Sequence, residues 1–164
     1  MYFRHNRKNV LDWFTPKHKH LKSIRRAEHD LDCRYDERCA IHIRLGDYKL
    51  LNNINAFSNS GWCIPFEYYI KAIEALPENL FYIVFSDEPD LAYKYFKDLH
   101  PKVVIEGNEP VVDMFLISRC RYNIIGNSSF SWWSAWLNTC EDKQIIAPLY
   151  HLGWAENQWI PEGI

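Results

Sequence analysis

The chain has 164 residues, of which 48% are hydrophobic and 16% aromatic, enough for one buried core and too few for several domains. Nineteen basic against 21 acidic residues give a net charge of -2, which argues against a dedicated nucleic-acid binder. No window is apolar for long enough to span a bilayer, and the start, Met1-Tyr2-Phe3-Arg4-His5-Asn6-Arg7, lacks the apolar stretch of a signal peptide.

The charge is unevenly spread: residues 1–39 carry ten basic and six acidic side chains, the remainder nine and fifteen. Residues 2–30 read as a broken helix. Phe3, Val10, Leu11 and Phe14 share a face, Pro16 interrupts, and Leu21 and Ile24 resume the pattern. Its basic residues read as a solvated helical surface. Residues 30–37 are charged and irregular, as a loop would be. Within them Asp30-Leu31-Asp32 has a DxD look, but no further set of metal ligands accompanies it. The five cysteines contain no CxxC and no histidine at zinc-ligand spacing. Cys39, Cys120 and Cys140 lie in or beside apolar runs and are expected as buried thiols. A Cys33–Cys63 or Cys33–Cys39 bridge is not indicated.

From residue 39 onward strands and helices alternate. Strands are predicted over 39–45, 80–85, 103–105, 122–126 and 143–147, and helices over 66–76, 90–99, 110–121 and 129–138. Pro65 opens the first helix, Pro77 follows its end, and Pro110 opens the third. Residues 80–85, Leu-Phe-Tyr-Ile-Val-Phe, are apolar throughout, as in a strand buried on both faces. The alternation predicts an α/β fold over 39–164, a Rossmann-like parallel sheet with flanking helices, preceded by a helical segment over 1–38. Tyr150, Trp154 and Trp159 in the tail are expected to pack back onto it.

In an open parallel sheet, ligands bind beyond the carboxyl ends of the strands. Those ends hold Arg44-Leu45-Gly46-Asp47-Tyr48, then Ser86-Asp87-Glu88, then 106–109 leading to Asp113, and last Asn127-Ser128-Ser129-Phe130-Ser131. Small hydroxyl residues at a strand-to-helix junction cap the first turn and leave backbone N–H groups for an anion such as phosphate. The alternative is a serine cap over a Trp-rich core helix, with Trp132, Trp133 and Trp136 mostly in the core. Arg44 has a fork that fits two phosphate oxygens; the alternative is a structural ion pair with Asp47 or Asp87. His42 shares its strand face and reads by itself as a hydrogen-bonded core histidine. Asp47 reads as orienting Arg44 or the loop rather than as a base. Gly46 supplies a tight turn or a close backbone approach. Asp113 either complements a helix dipole or accepts two N–H bonds from a guanine edge. No Ser-His-Asp order, Walker loop or GxGxxG is present. The chemistry on offer is stabilisation of the charge that develops on a departing diphosphate.

Residues 42–48 (His-Ile-Arg-Leu-Gly-Asp-Tyr), 85–88 (Phe-Ser-Asp-Glu) and 113–138, which contain Asn-Ser-Ser-Phe-Ser-Trp-Trp, resemble glycosyltransferase family 11, the alpha-1,2-fucosyltransferases. The resemblance covers roughly 40–150, with a weaker echo in 2–30. It implies one lobe of a two-lobed GT-B-like enzyme that inverts the anomeric centre, needs no metal and uses no cofactor. Such an enzyme transfers L-fucose from GDP-fucose to the 2-hydroxyl of a galactoside. On that footing Arg44 and Asp47 are the catalytic candidates. His42, Arg44, Gly46, Asp87, Asp113, Asn127, Ser128, Ser129, Phe130 and Ser131 line the donor site, with Arg44 on the beta-phosphate and Asp113 on guanine. The family usually has a second arginine where this chain has Leu45. Its members are close to twice this length, so the chain is expected to be a donor-binding half. Residues 1–38 would be a remnant of the inter-lobe region, and a partner chain would supply the acceptor lobe. The expected location is cytoplasmic or peripheral to a membrane.

Overall fold

A computed structural model describes residues 4–31, 33–51, 62–100 and 102–149. The expectations for Phe3, Asp32, Tyr150, Trp154 and Trp159 lie outside the described residues. Helices α1 (Arg7–Trp13) and α2 (His18–Asp30) are separated at Pro16, which has no N–H to continue a helix. Then follow β1 (Arg38–Ile43), α3 (Gly46–Leu51), α4 (Phe66–Glu74), β2 (Phe81–Ser86), α5 (Pro89–Tyr95) and β3 (Lys102–Ile105). The chain continues through α6 (Pro110–Ile117), β4 (Tyr122–Ile124), α7 (Ser129–Leu137) and β5 (Gln144–Ile146). Pro89 and Pro110 sit in the first turns of α5 and α6, where a missing N–H costs nothing.

The described strands form one five-stranded sheet in the order β3-β2-β1-β4-β5. Every pairing is parallel; Ile41 of β1 lies opposite Val84 of β2 and Ile124 of β4. Helices cover both faces, which is why the strand bodies are mostly apolar, with His42 of β1 and Asn123 of β4 as buried polar exceptions. On one face Cys39, Ile41 and Ile43 pack with Tyr82 and Val84 against Tyr69 and Ala72 of α4 and Ala92 of α5. On the other, Ala40, Ile83 and Phe85 pack against Ile24 of α2 and Val112, Leu116 and Ile117 of α6. Val10 of α1 joins Trp136 and Leu137 of α7, and Phe14 stacks on Trp133 with ring centroids 4.8 Å apart. Arg7 fastens this corner: its Nη1 and Nη2 donate to the carbonyls of Trp136 and Asn138 at the negative end of α7. The three tryptophans of α7 thus belong to the packing, as expected. Cys39 and Cys120 are buried thiols, whereas Cys140 is only half-buried.

Several element ends differ from the sequence expectation, and α3 was not expected at all. β1 stops at Ile43, which puts Arg44 and Leu45 in the following turn. β4 stops at Ile124, and Gly126 belongs to the next turn. α6 stops at Ile117, and the amide of the buried Asn123 takes up the carbonyls of Ile117 and Cys120 at and just beyond its end. α3 is six residues long and starts on glycine, a weak helix former. What starts it is remote in sequence: the Asp87 carboxylate accepts the N–H groups of Leu45 and Gly46.

Candidate functional site

From β1 the chain steps outward to β2 and β3, then returns to place β4 on the other side of β1. The tips of β1 and β4 therefore flank the point where the strand order reverses, the place where open α/β sheets leave a crevice for a ligand. Arg44 follows one tip and Asn127-Ser128-Ser129 the other, on neighbouring strands and the same edge.

The two tips are tied together. The Tyr48 hydroxyl donates to the Asn127 carbonyl at 3.2 Å, and the Asn127 side-chain amide donates to the Trp62 carbonyl at 2.9 Å. Gly126 lets the strands approach: a Cβ there would lie 3.1 Å from the His42 carbonyl oxygen and 3.2 Å from the Tyr69 hydroxyl. Neither Tyr48 nor Tyr69 stood out in the sequence. Tyr48 becomes visible as a site residue only once α3 is known to carry it toward β4.

Arg44 is partly exposed, its side chain retaining 36% of its accessible surface. Its Nε donates to Asp47 Oδ1 at 2.9 Å and lies 3.2 Å from Asp87 Oδ2. The guanidinium carbon lies 5.8 Å from the centre of the Tyr48 ring. The ion pair weighed from the sequence is thus formed, with both acids, and both contacts run through Nε. Among the described residues Nη1 and Nη2 make no hydrogen bond. A guanidinium held by Nε alone still offers the outer edge of its fork to an anion. Hydrogen bonding to Arg44 holds the Asp47 carboxyl below the usual carboxylate range, which weakens it as a base and suits the orienting role. Leu45 is buried in the α4 and α5 side of the core, away from this polar edge.

Ser128 caps α7, and its Oγ accepts the Phe130 N–H at 3.3 Å. Ser129 is exposed at the first helical position. Asn127 and Ser131 face inward. Ser131 is fully buried and donates its hydroxyl to the carbonyls of Gly126 and Ser128, so it holds the turn from beneath. Phe130 lies against His42 with ring centroids 5.3 Å apart.

His42 is 6% exposed, and its buried Nδ1 has no hydrogen-bond partner among the described residues. The hydrogen-bonded core histidine expected from the sequence is therefore not what this nitrogen shows. An unpaired polar atom in a buried place is costly. Burial lowers the His42 pKa to about 4, with Asp87 opposing and Arg44 reinforcing the shift. The unfolded chain, with an ordinary histidine near 6.5, then binds more protons than the folded one between pH 4 and 6.5. Stability from this residue is complete above about pH 6.5 and is lost as pH falls toward 4, by up to about 3 kcal/mol. Urea unfolding from pH 7 to 4 is expected to show a steeper loss in the wild type than in His42→Gln; parallel curves would contradict the buried neutral state.

Asp113 lies in the first turn of α6, half-buried, and Asn108 Nδ2 donates to its Oδ1 at 2.9 Å. Burial raises its pKa, and the Asn108 bond opposes that rise. One oxygen is thus oriented by Asn108, a partner the sequence did not suggest. Asp30 lies at the end of α2 beside Arg26 and His29, far from a ligand-like arrangement. Among the described residues no three His, Cys, Asp or Glu side chains are grouped to hold a metal ion. None of the described helices is long and apolar enough to cross a membrane.

A helix-flanked parallel sheet with polar residues gathered beyond the strand tips at its reversal point defines a Rossmann-like lobe of the kind glycosyltransferases use. Residues 2–153 match the family model described as glycosyl transferase family 11, and the chain belongs to that family. It is 36% identical over 154 residues to an alpha-1,2-colitosyltransferase of Escherichia coli, covering 90% of this chain and 51% of that protein. It is 39% identical over 122 residues to the O-antigen biosynthesis glycosyltransferase WbnK of Escherichia coli, covering 71% and 39% respectively. The chain thus spans about half, or less, of the length of these relatives.

Proposed function

We propose that this chain is the donor-binding part of a glycosyltransferase that moves L-fucose from GDP-fucose to the 2-hydroxyl of a galactoside, with inversion and without a metal. The observation that carries the reading is the pairing of Arg44 with the Asn127–Ser129 turn on adjacent strand tips. Arg44 and the first N–H groups of α7 stabilise the negative charge of the departing diphosphate. Ser128 and Ser129 meet the same group, while Asn127, Phe130 and Ser131 shape the turn that presents them. Asp47 keeps Arg44 oriented. His42 offers its unpaired nitrogen to the nucleotide, and Asp113 accepts the guanine edge. Gly46 leaves room for the Asp87 carboxylate. The acceptor site belongs to a partner lobe or chain.

A second reading keeps the site and the alpha-1,2 linkage but changes the sugar to colitose, as the name of one relative suggests. Titration calorimetry with GDP, GDP-fucose, GDP-mannose and UDP-galactose tests the donor class. GDP and its sugars are expected to bind, with or without EDTA, and UDP-galactose is not. Equal affinity for UDP-galactose, or a strict need for magnesium or manganese, would contradict the reading. A transfer assay on lactose, comparing GDP-fucose with GDP-colitose, decides between the two sugars.

A further inference from the structure

Asp87 follows the tip of β2 and reaches across to the turn after β1. Its Oδ1 accepts the Leu45 N–H at 2.9 Å, and its Oδ2 accepts the Gly46 N–H at 2.9 Å. Oδ2 also lies 3.2 Å from Arg44 Nε. One carboxylate thus grips three consecutive residues of the turn that carries Arg44. A carboxylate has about four acceptor positions, and three are engaged within the chain. The fit leaves no slack, since a Cβ on Gly46 would lie 2.5 Å from Oδ2.

We propose that Asp87 is a positioning residue that sets the diphosphate-binding arginine and does not itself touch the donor. This replaces the substrate contact expected for Asp87 from the sequence, and it rests on the phosphate role given to Arg44 above. The physical reason is twofold. Two amide N–H groups and a guanidinium neutralise the carboxylate, so it can stand near a diphosphate without repelling it. They also fix where β1 ends and α3 begins, and hence where the guanidinium points. The opposite side of the same turn is held by Tyr48 on Asn127, so the arginine-bearing turn is clamped from both neighbouring strands.

Two variants disturb the clamp by different routes. Asp87→Asn keeps the shape, removes the charge and turns an amide nitrogen, which cannot accept, toward one of the two N–H groups. Gly46→Ala keeps every charge and displaces Oδ2. Each is expected to weaken GDP binding about tenfold in the wild-type chain and less than twofold when Arg44 is already alanine, because a residue acting through Arg44 has nothing left to position. The NMR signal of Arg44 Nε–H in the ligand-free chain is expected to shift in both variants, a change that a fold-holding role alone would not produce. Equal losses in the two backgrounds, or an unmoved Nε–H signal, overturn the positioning role. A wild-type chain that does not bind GDP, or an Arg44→Ala chain that binds it as well, overturns the phosphate role instead, and the Nε–H signal then still judges the clamp.

Discussion

Replacing Arg44 by alanine is expected to lower the affinity for GDP at least about tenfold, or about 1.4 kcal/mol. On the proposed phosphate role, the lost interaction is a charge-assisted hydrogen bond from a planar fork to phosphate oxygens. A second effect acts in the same direction. Asp47 and Asp87 both face Arg44 Nε, at 2.9 Å and 3.2 Å. Without the guanidinium those two acids stand beside the diphosphate with one cation fewer between them. Arg44→Lys restores the charge and not the fork, so its affinity is expected between those of the alanine variant and the wild type. The fold should survive, because partly exposed ion pairs contribute only about 0–1 kcal/mol each. Calorimetric titration of folded variants measures this directly, and GDP binding unchanged in Arg44→Ala would remove the basis of the donor site.

The largest effect on stability is expected at Asn138, immediately after α7. It is fully buried, and its side chain closes a polar network beneath the sheet edge opposite the site. Its Nδ2 donates to the Cys120 carbonyl at 2.8 Å and to Asn123 Oδ1 at 3.2 Å, and its Oδ1 accepts the Cys140 N–H at 3.0 Å. Asn138→Ala leaves Asn123 Oδ1 and the Cys140 N–H without these partners inside the protein. An unsatisfied buried polar group costs about 1–3 kcal/mol, so a loss of about 3 kcal/mol or more is expected by urea unfolding. A loss below about 1 kcal/mol would mean that the network is replaced by water. Because Asn138 and Asn123 join the ends of α6, β4 and α7, the variant also tests how firmly α7 is anchored at the end away from the ligand.

Local sequence was sufficient wherever one element's own chemistry decides its state. The apolar run at 80–85 falls, except for Leu80, within β2 (Phe81–Ser86), a strand covered on both faces. Ser128 can cap because its hydroxyl reaches an N–H two residues on. Pro16 and Pro110 act through their own rings. The motif around Asn127–Ser131 was legible for the same reason. Less legible was which hydroxyls face outward: Ser129 is exposed and Ser131 is fully buried, though only two positions apart on one short helix.

By itself, then, the amino-acid sequence determined the alternation of strands and helices, the apolar strand bodies, the cap of α7 and the family motifs. Only the tertiary structure decided that β4 lies beside β1, that Asp87 turns inward to start α3, and that His42 is buried with no partner for its Nδ1 among the described residues. The reason is the reach of the interactions. Periodicity and capping act over a few residues, whereas Gly46 meets Asp87 across 41 positions and Tyr48 meets Asn127 across 79. Contacts at such separations form only when the packed sheet brings strand tips together, and it is those contacts that assemble the site.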